Sequence, residues 1–140
     1  MSADATIKTI AQAYEAFGRG DVAANLDMVT DDVDWAADVA RNAAPWHGRR
    51  SGKEGVASFF SDLATSVEIS EFAPHSFAAG DDGVHLLVDW TFTPHATDRE
   101  TSMTMHHYWR LRDGKVEYFR GSEDSALTAQ AFAADQLARS

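Results

Sequence analysis

Two long stretches of strict alternation constrain this chain more than any other feature. Val84, Leu86, Val88, Trp90 and Phe92 place an apolar side chain at every second position, and Met103, Met105, His107, Trp109 and Leu111 repeat the pattern. Successive side chains of a strand point to opposite faces, so each stretch reads as a strand with one face on a core. Asp81-Asp82-Gly83 turns the chain before the first of them. Asp113-Gly114 is a hairpin signal joining the second to Val116–Ser122. Upstream, Val67/Ile69, Phe72 and Phe77 form an earlier strand in which Pro74 implies an edge position or a bulge.

The N-terminal third has a different period. Ile7, Ile10, Ala11, Tyr14 and Phe17 recur at helical spacing, with Gly18 and Gly20 as a stop, so residues 5–17 are predicted as an amphipathic helix. Asp21 caps a second, short helix that is expected to turn Val22, Leu26 and Val29 inward. Val33 and Trp35 then alternate with acids as a short strand does. Residues 38–50, with Pro45 and Gly48, read as a loop that carries the aromatic pair Trp46 and His47. Ser51 and Glu54 make a capping box before Val56, Phe59, Phe60 and Leu63, the apolar face of a third helix. Asp124 or Ser125 caps a closing helix through Leu127, Ala131 and Ala134.

Helices followed by a long antiparallel meander predict an α+β fold, a curved sheet wrapped around the early helices, spanning residues 1–140 as a single domain. Such a sheet, covered on one side and open at one end, leaves a conical cavity suited to a small apolar ligand. Trp35, Trp46, His47, Phe59, Trp90, Met105, Trp109, Phe119 and Glu123 are the expected ligand-contacting wall.

Composition removes several function classes. The 140 residues contain no cysteine, which excludes disulfides, thiolate metal sites and cysteine nucleophiles, and is compatible with a cytoplasmic location. A net charge of −10 disfavours nucleic acid as a partner. The first 30 residues lack a signal-peptide pattern, and no apolar run is long enough for a membrane span. Six histidines invite a metal reading, but His106 and His107 are adjacent in a strand and point to opposite faces, and the rest lie in separate segments. No metal and no cofactor are expected. Glycine-rich phosphate loops and serine nucleophile elbows are missing.

Several segments together resemble the SnoaL-like branch of the nuclear transport factor 2 (NTF2) superfamily, which includes ketosteroid isomerases, polyketide cyclases and limonene epoxide hydrolases. They are Tyr14-Glu15-Ala16-Phe17 running into Gly20-Asp21, the Asp31–Trp35 strand, Gly52-Lys53-Glu54-Gly55-Val56 before Phe59-Phe60, and His107-Tyr108-Trp109-Arg110 leading to Asp113-Gly114-Lys115-Val116. The resemblance implies a cone-shaped sheet and a homodimer. It places Tyr14 where the isomerases keep the tyrosine of their oxyanion hole, and His107 where they keep a protonated aspartate. The isomerase base falls nearest Ala37, with Asp38 one place on. Gly121 replaces the last-strand acid of the cyclases and hydrolases, with Glu123 two residues further facing the same way. Asp89 matches a middle-strand acid of the epoxide hydrolases, whose arginine corresponds to Leu87.

The expectation is therefore a cofactor-independent acid–base enzyme of isomerase, cyclase or dehydratase type, acting on a small apolar cyclic or carbonyl-bearing metabolite. His107 would take or hold the proton, Tyr14 would polarise the carbonyl, and Asp38 or Asp89 would be the second acid–base group. His107 lies on the apolar face, where desolvation favours the neutral ring. The alternative is a non-catalytic module that uses the same cone as a receptacle. Thr104, His106, Tyr108 and Arg110 alternate with the cavity residues and are the expected dimer contact.

Overall fold

A computed structural model describes residues 3–37, 43–81 and 83–133. Helix α1 (Ala3–Gly18) buries Ile10 and Tyr14 of the predicted stripe together with Ala13 and Ala16, while Ile7, Ala11 and Phe17 are half-buried. Helix α2 (Val22–Asp27) is capped by Asp21, whose side chain accepts from the Ala24 N–H. Its orientation differs from expectation: Val22 is exposed, and the buried residue is Asn25, whose amide donates to the Ala13 carbonyl. Val29 belongs not to this helix but to strand β1 (Val29–Ala37).

Strand β2 (Gly48–Ser51) lies in the segment read as loop and pairs antiparallel with β1 through Trp35↔Arg50 and Ala37↔Gly48. Four residues are too short to show a period, which is why alternation missed it. Helix α3 (Gly52–Ser66) buries Val56, Phe60 and Leu63. Ser51 occupies its N-cap position but makes no side-chain capping bond, so the boundary is as predicted while the capping box is not formed.

Strands β3 (Val67–Ala79), β4 (Val84–Pro94), β5 (Thr101–Arg112) and β6 (Lys115–Ser122) form the meander. Helix α4 (Ser125–Phe132), capped by Asp124, closes the described chain; Ala134 lies outside the described residues. The sheet is six-stranded and curved, in the order β2-β1-β6-β5-β4-β3. All neighbours are antiparallel except β1 and β6, a parallel pair that the expected meander did not include. Pro74 lies on an edge strand, as its missing N–H requires. The Asp113-Gly114 turn has positive φ at both residues, 52° and 80°, the geometry that matches hairpin twist. Gly83 packs so tightly on β5 that a Cβ would come within 2.1 Å of the Trp109 carbonyl oxygen. Only glycine allows Val84 to pair opposite Trp109 there.

The alternation then does its work. Val84, Leu86, Val88, Trp90 and Phe92 are all at most 2% exposed and face the helices, while His85 and Leu87 face outward. Burying a side chain of this kind stabilises the fold by roughly 1.5–3 kcal/mol. Among the described residues no helix is long and apolar enough to cross a membrane.

Candidate functional site

The inner faces of β1, β4, β5 and β6 meet helices α1 and α3 around a cavity of about 60 Å³. Trp35, Trp46, Phe59, Trp90, Met105, Trp109 and Phe119 line it, as the sequence predicts, together with Tyr14, His107 and Glu123. Alternation on β5 brings Met105, His107 and Trp109 to this side, and the pairing His107↔Gly121 sets the imidazole opposite a residue with no side chain.

Three polar rings form a chain at one end. The Trp109 indole donates to the Tyr14 oxygen at 2.9 Å, and that hydroxyl lies 2.6 Å from His107 Nδ1. Because the phenol oxygen already accepts from Trp109, its own proton is satisfied only by donating to Nδ1, which leaves the imidazole hydrogen on Nε2. Nε2 has no hydrogen-bond partner among the described residues and faces Gly121, where a built Cβ would sit 3.4 Å away. Burial, reinforced by the charge of His106, lowers the His107 pKa to about 3, so the ring is neutral at ordinary pH. Burial likewise pushes the Tyr14 phenol well above its ordinary value, opposed in part by the Trp109 bond. In this state the cavity is presented with a neutral N–H donor rather than a free imidazole lone pair, and the Tyr14 proton is already engaged.

The second polar group is a carboxylate. Glu123 follows β6, shares the inward face of Gly121, and its side chain is only 3% exposed. Its Oε1 accepts from the Trp46 indole at 3.2 Å, and its Oε2 accepts from the Thr128 hydroxyl of α4 at 2.5 Å. His47 Nε2 stands 3.1 Å from Oε1, near enough for an electrostatic contact but off the line of a well-formed hydrogen bond. His47 Nδ1 accepts from the Ala43 N–H, which places the ring hydrogen on Nε2, toward the carboxylate. His47 is thus a support behind Glu123 rather than part of the cavity wall.

The two other predicted acids fare differently. Asp38 lies outside the described residues. Asp89 is a correction: its neighbours Val88 and Trp90 take the inward face, so its carboxylate points to the opposite side of the sheet. There Asp89 accepts from Thr104 at 2.7 Å and stands 3.1 Å from His75, contacts that hold its pKa below the usual carboxylate value, Thr104 foremost.

Sequence reasoning missed Phe17, Asn25, Phe60, Leu63, Phe72 and Gly121 as lining residues and Thr128 as a support. Asn25 was visible as a polar residue one position from Leu26 in α2, and Thr128 shares a helix face with Ala131. Three polar atoms on the wall, Trp35 Nε1, Trp90 Nε1 and Asn25 Oδ1, have no hydrogen-bond partner among the described residues. Among those residues, no cluster of three or more His, Asp and Glu side chains is arranged to hold a metal ion.

A family model for the SnoaL-like domain matches residues 10–119. The chain belongs to the SnoaL-like family. Its NTF2-like fold is shared with an NTF2-like protein of unknown function from Burkholderia pseudomallei K96243, 24% identical, covering 96% of this chain and 100% of the other at a TM-score of 0.84. TerC, crystallised with polyporic acid, is 20% identical, with 91% and 98% of the two chains covered and a TM-score of 0.81. A candidate polyketide cyclase of Xanthomonas campestris pv. campestris is 17% identical, with 94% and 98% covered and a TM-score of 0.76. At these identities the likeness shows the SnoaL-like fold and no particular activity. Among curated proteins none matches the sequence.

Proposed function

We propose that this SnoaL-like protein is an acid–base enzyme that moves a proton next to a carbonyl group of a small, largely apolar cyclic metabolite, as in isomerisation, cyclisation or dehydration. The observation that carries the reading is the placement of His107 and Glu123. His107 pairs with Gly121 on the neighbouring strand, Glu123 lies two residues further on, and all three line one cavity. Glu123 follows directly on the last residue of β6, on the Gly121 side, so the carboxylate and the imidazole face the same space.

Glu123 takes the proton from the carbon beside the carbonyl, and the electron pair moves onto the carbonyl oxygen. The Nε2–H of His107 donates to the enolate oxygen as charge develops there. Glu123 then returns the proton to another carbon, or the enolate carbon attacks a second carbonyl carbon of the same molecule, whose C=O π pair moves onto its oxygen and takes up the proton from Glu123. The Tyr14 hydroxyl fixes the donor tautomer instead of touching the substrate. This assigns the proton-accepting role to the carboxylate and the polarising role to the imidazole, an exchange of the roles expected from sequence. The family match and the structural likeness to a candidate polyketide cyclase support the class.

The test is hydrogen–deuterium exchange, followed by NMR, at carbons beside the carbonyl in a panel of cyclic ketones and enones. Glu123→Gln is expected to lower the exchange rate roughly 10²–10⁴-fold. His107→Phe is expected to lower it roughly 10²–10³-fold. Exchange undiminished in Glu123→Gln removes the assignment.

A non-catalytic ligand carrier is the second reading, favoured by the engagement of Glu123 with Trp46 and Thr128 and by glycine at position 121. Saturable binding of a panel member without exchange in the wild type selects it.

We also propose a homodimer formed through the outer sheet face, where Thr104, His106, Tyr108 and Arg110 lie beside Tyr118 and Arg120. Both guanidinium groups stack on the Tyr118 ring, at 4.0 and 4.1 Å, giving that face a planar, π-rich surface. Light scattering is expected to give twice the 15.3 kDa chain mass; the chain mass alone overturns it.

A further inference from the structure

The inner cavity is too small for the ligands its chemistry suits. Its volume is about 60 Å³, whereas pockets for drug-sized ligands run from about 300 Å³ upward. Beside it, between α1 and the edge strand β3, runs a groove of about 560 Å³. Tyr14, Phe17 and Phe72 line both spaces, so the two are separated by these three rings.

Phe72 is the removable part of that wall. Tyr14 is tied by hydrogen bonds to His107 and Trp109, but Phe72 is held by ring packing alone: 4.8 Å from Phe17, 6.1 Å from Tyr14 and 6.2 Å from Trp90 between centroids. It is only half-buried, and its strand is hydrogen-bonded along one edge. Irregular pairing brackets it, with register shifts between Ile69 and Glu71 and between His75 and Ala78, and Ser76 sits at φ 59°. Between those shifts Glu71–His75 pairs regularly with β4, Phe72 opposite Trp90, so the strand stays in place and the movement needed is a rotamer change of the Phe72 ring.

The groove has a chemistry of its own. Ile69, Phe72, Pro74 and Phe77 give it an apolar floor, while Glu15 and Glu71 are exposed on its lining. Two carboxylates beside the opening, on a chain of net charge −10, disfavour an anionic group there.

We infer that the α1–β3 groove is a second compartment of the ligand site, which joins the inner cavity when the Phe72 ring swings aside. It takes the distal part of an elongated, apolar ligand whose far end is uncharged or bears an amine, never a carboxylate or phosphate. The inference rests on the reading of the inner cavity as the ligand site, but it does not require that the ligand be turned over.

Nile red, an elongated, uncharged apolar fluorophore, tests it. Saturable binding is expected in the wild type, weakened roughly tenfold or more by Ala11→Phe, which fills the groove from α1 without reaching the inner cavity. Ser70→Arg, on the exposed side of β3, fills the same groove if Ala11→Phe fails to fold. All four tryptophans line the inner cavity, so Phe72→Ala is expected to raise acrylamide quenching of their emission, and bound Nile red to reverse that rise. Dansyl-undecanoic acid is expected to bind more weakly than its methyl ester, and Glu15→Gln with Glu71→Gln to narrow the gap. Absence of saturable Nile red binding, or unchanged affinity in a folded groove-filling variant, overturns the inference. Since the titration needs no turnover, it fails or holds independently of the exchange assay.

Discussion

The Tyr14 hydroxyl and His107 Nδ1, 93 residues apart in sequence, stand 2.6 Å from one another in a buried site. The phenol oxygen also accepts from Trp109, so its hydrogen has one place to go, and the pair is locked with the imidazole hydrogen on Nε2. Tyr14→Phe removes both contacts and strands a buried indole N–H and a buried ring nitrogen. A loss of about 1–3 kcal/mol in urea-unfolding stability is expected. Nitrogen NMR of the wild-type imidazole is expected to show the Nε2-protonated tautomer, and an Nδ1-protonated ring would remove the donor role proposed for His107.

The same burial makes stability depend on pH with a definite sign. His107 titrates at about 3 in the folded chain and near its ordinary 6.5 in the unfolded one. As pH falls below 6.5 the unfolded state takes up the proton and the folded state does not. The contribution is fully present above pH 6.5 and is lost toward pH 3, by at most about 1.4 kcal/mol per pH unit. His106 is shifted in the same direction, by burial and by His85. Urea midpoints measured near neutrality and at mildly acidic pH, for the wild type, His107→Gln and His106→Gln, separate the two. The acid-side loss is expected to shrink more in His107→Gln than in His106→Gln. Neither Tyr14 nor His107 titrates near neutrality, so neither contributes a limb to a pH–rate profile there.

How much of this was legible beforehand depended on period. Strands β4 and β5 and the hairpin to β6 announced themselves, because half-buried strands alternate and Asp-Gly suits the turn, and the same alternation placed Met105, His107 and Trp109 on the cavity wall. Strand β2 was not legible, being four residues long with an exposed arginine at position 49 and no apolar alternation. The parallel β1–β6 pairing was not legible either, because register between distant segments is set by tertiary packing. The site was half visible. Periodicity identified which rings point inward, but hydrogen-bond direction decides which group donates and which accepts, and that needs the Trp109–Tyr14–His107 chain in three dimensions.

Asp89 shows the limit of carrying a role across by alignment. Its carboxylate is spent on Thr104 and His75 on the outer face, away from the proposed chemistry. Asp89→Asn is expected to leave the exchange rate unchanged, whereas Glu123→Gln is expected to lower it roughly 10²–10⁴-fold. A loss in Asp89→Asn comparable to that in Glu123→Gln would place the reacting centre on the wrong side of the sheet.

Gly121 is the position where the smallest change has the most specific consequence. A methyl group there would meet Phe119 Cζ at 3.2 Å and His107 Cδ2 and Nε2 at 3.3 and 3.4 Å. These contacts are tight enough that the rings must yield by a few tenths of an ångström, but the backbone needs no unusual φ to accept a side chain. Gly121→Ala therefore fills the space in front of the imidazole N–H while leaving the fold in place. The expected cost to unfolding stability is that of mild overpacking, about 1–3 kcal/mol. The expected effect on exchange is as large as that of His107→Phe, because the enolate oxygen can no longer approach the donor. If Gly121→Ala folds with wild-type exchange, the substrate oxygen does not sit at Nε2, and the polarising role passes to another donor on the wall.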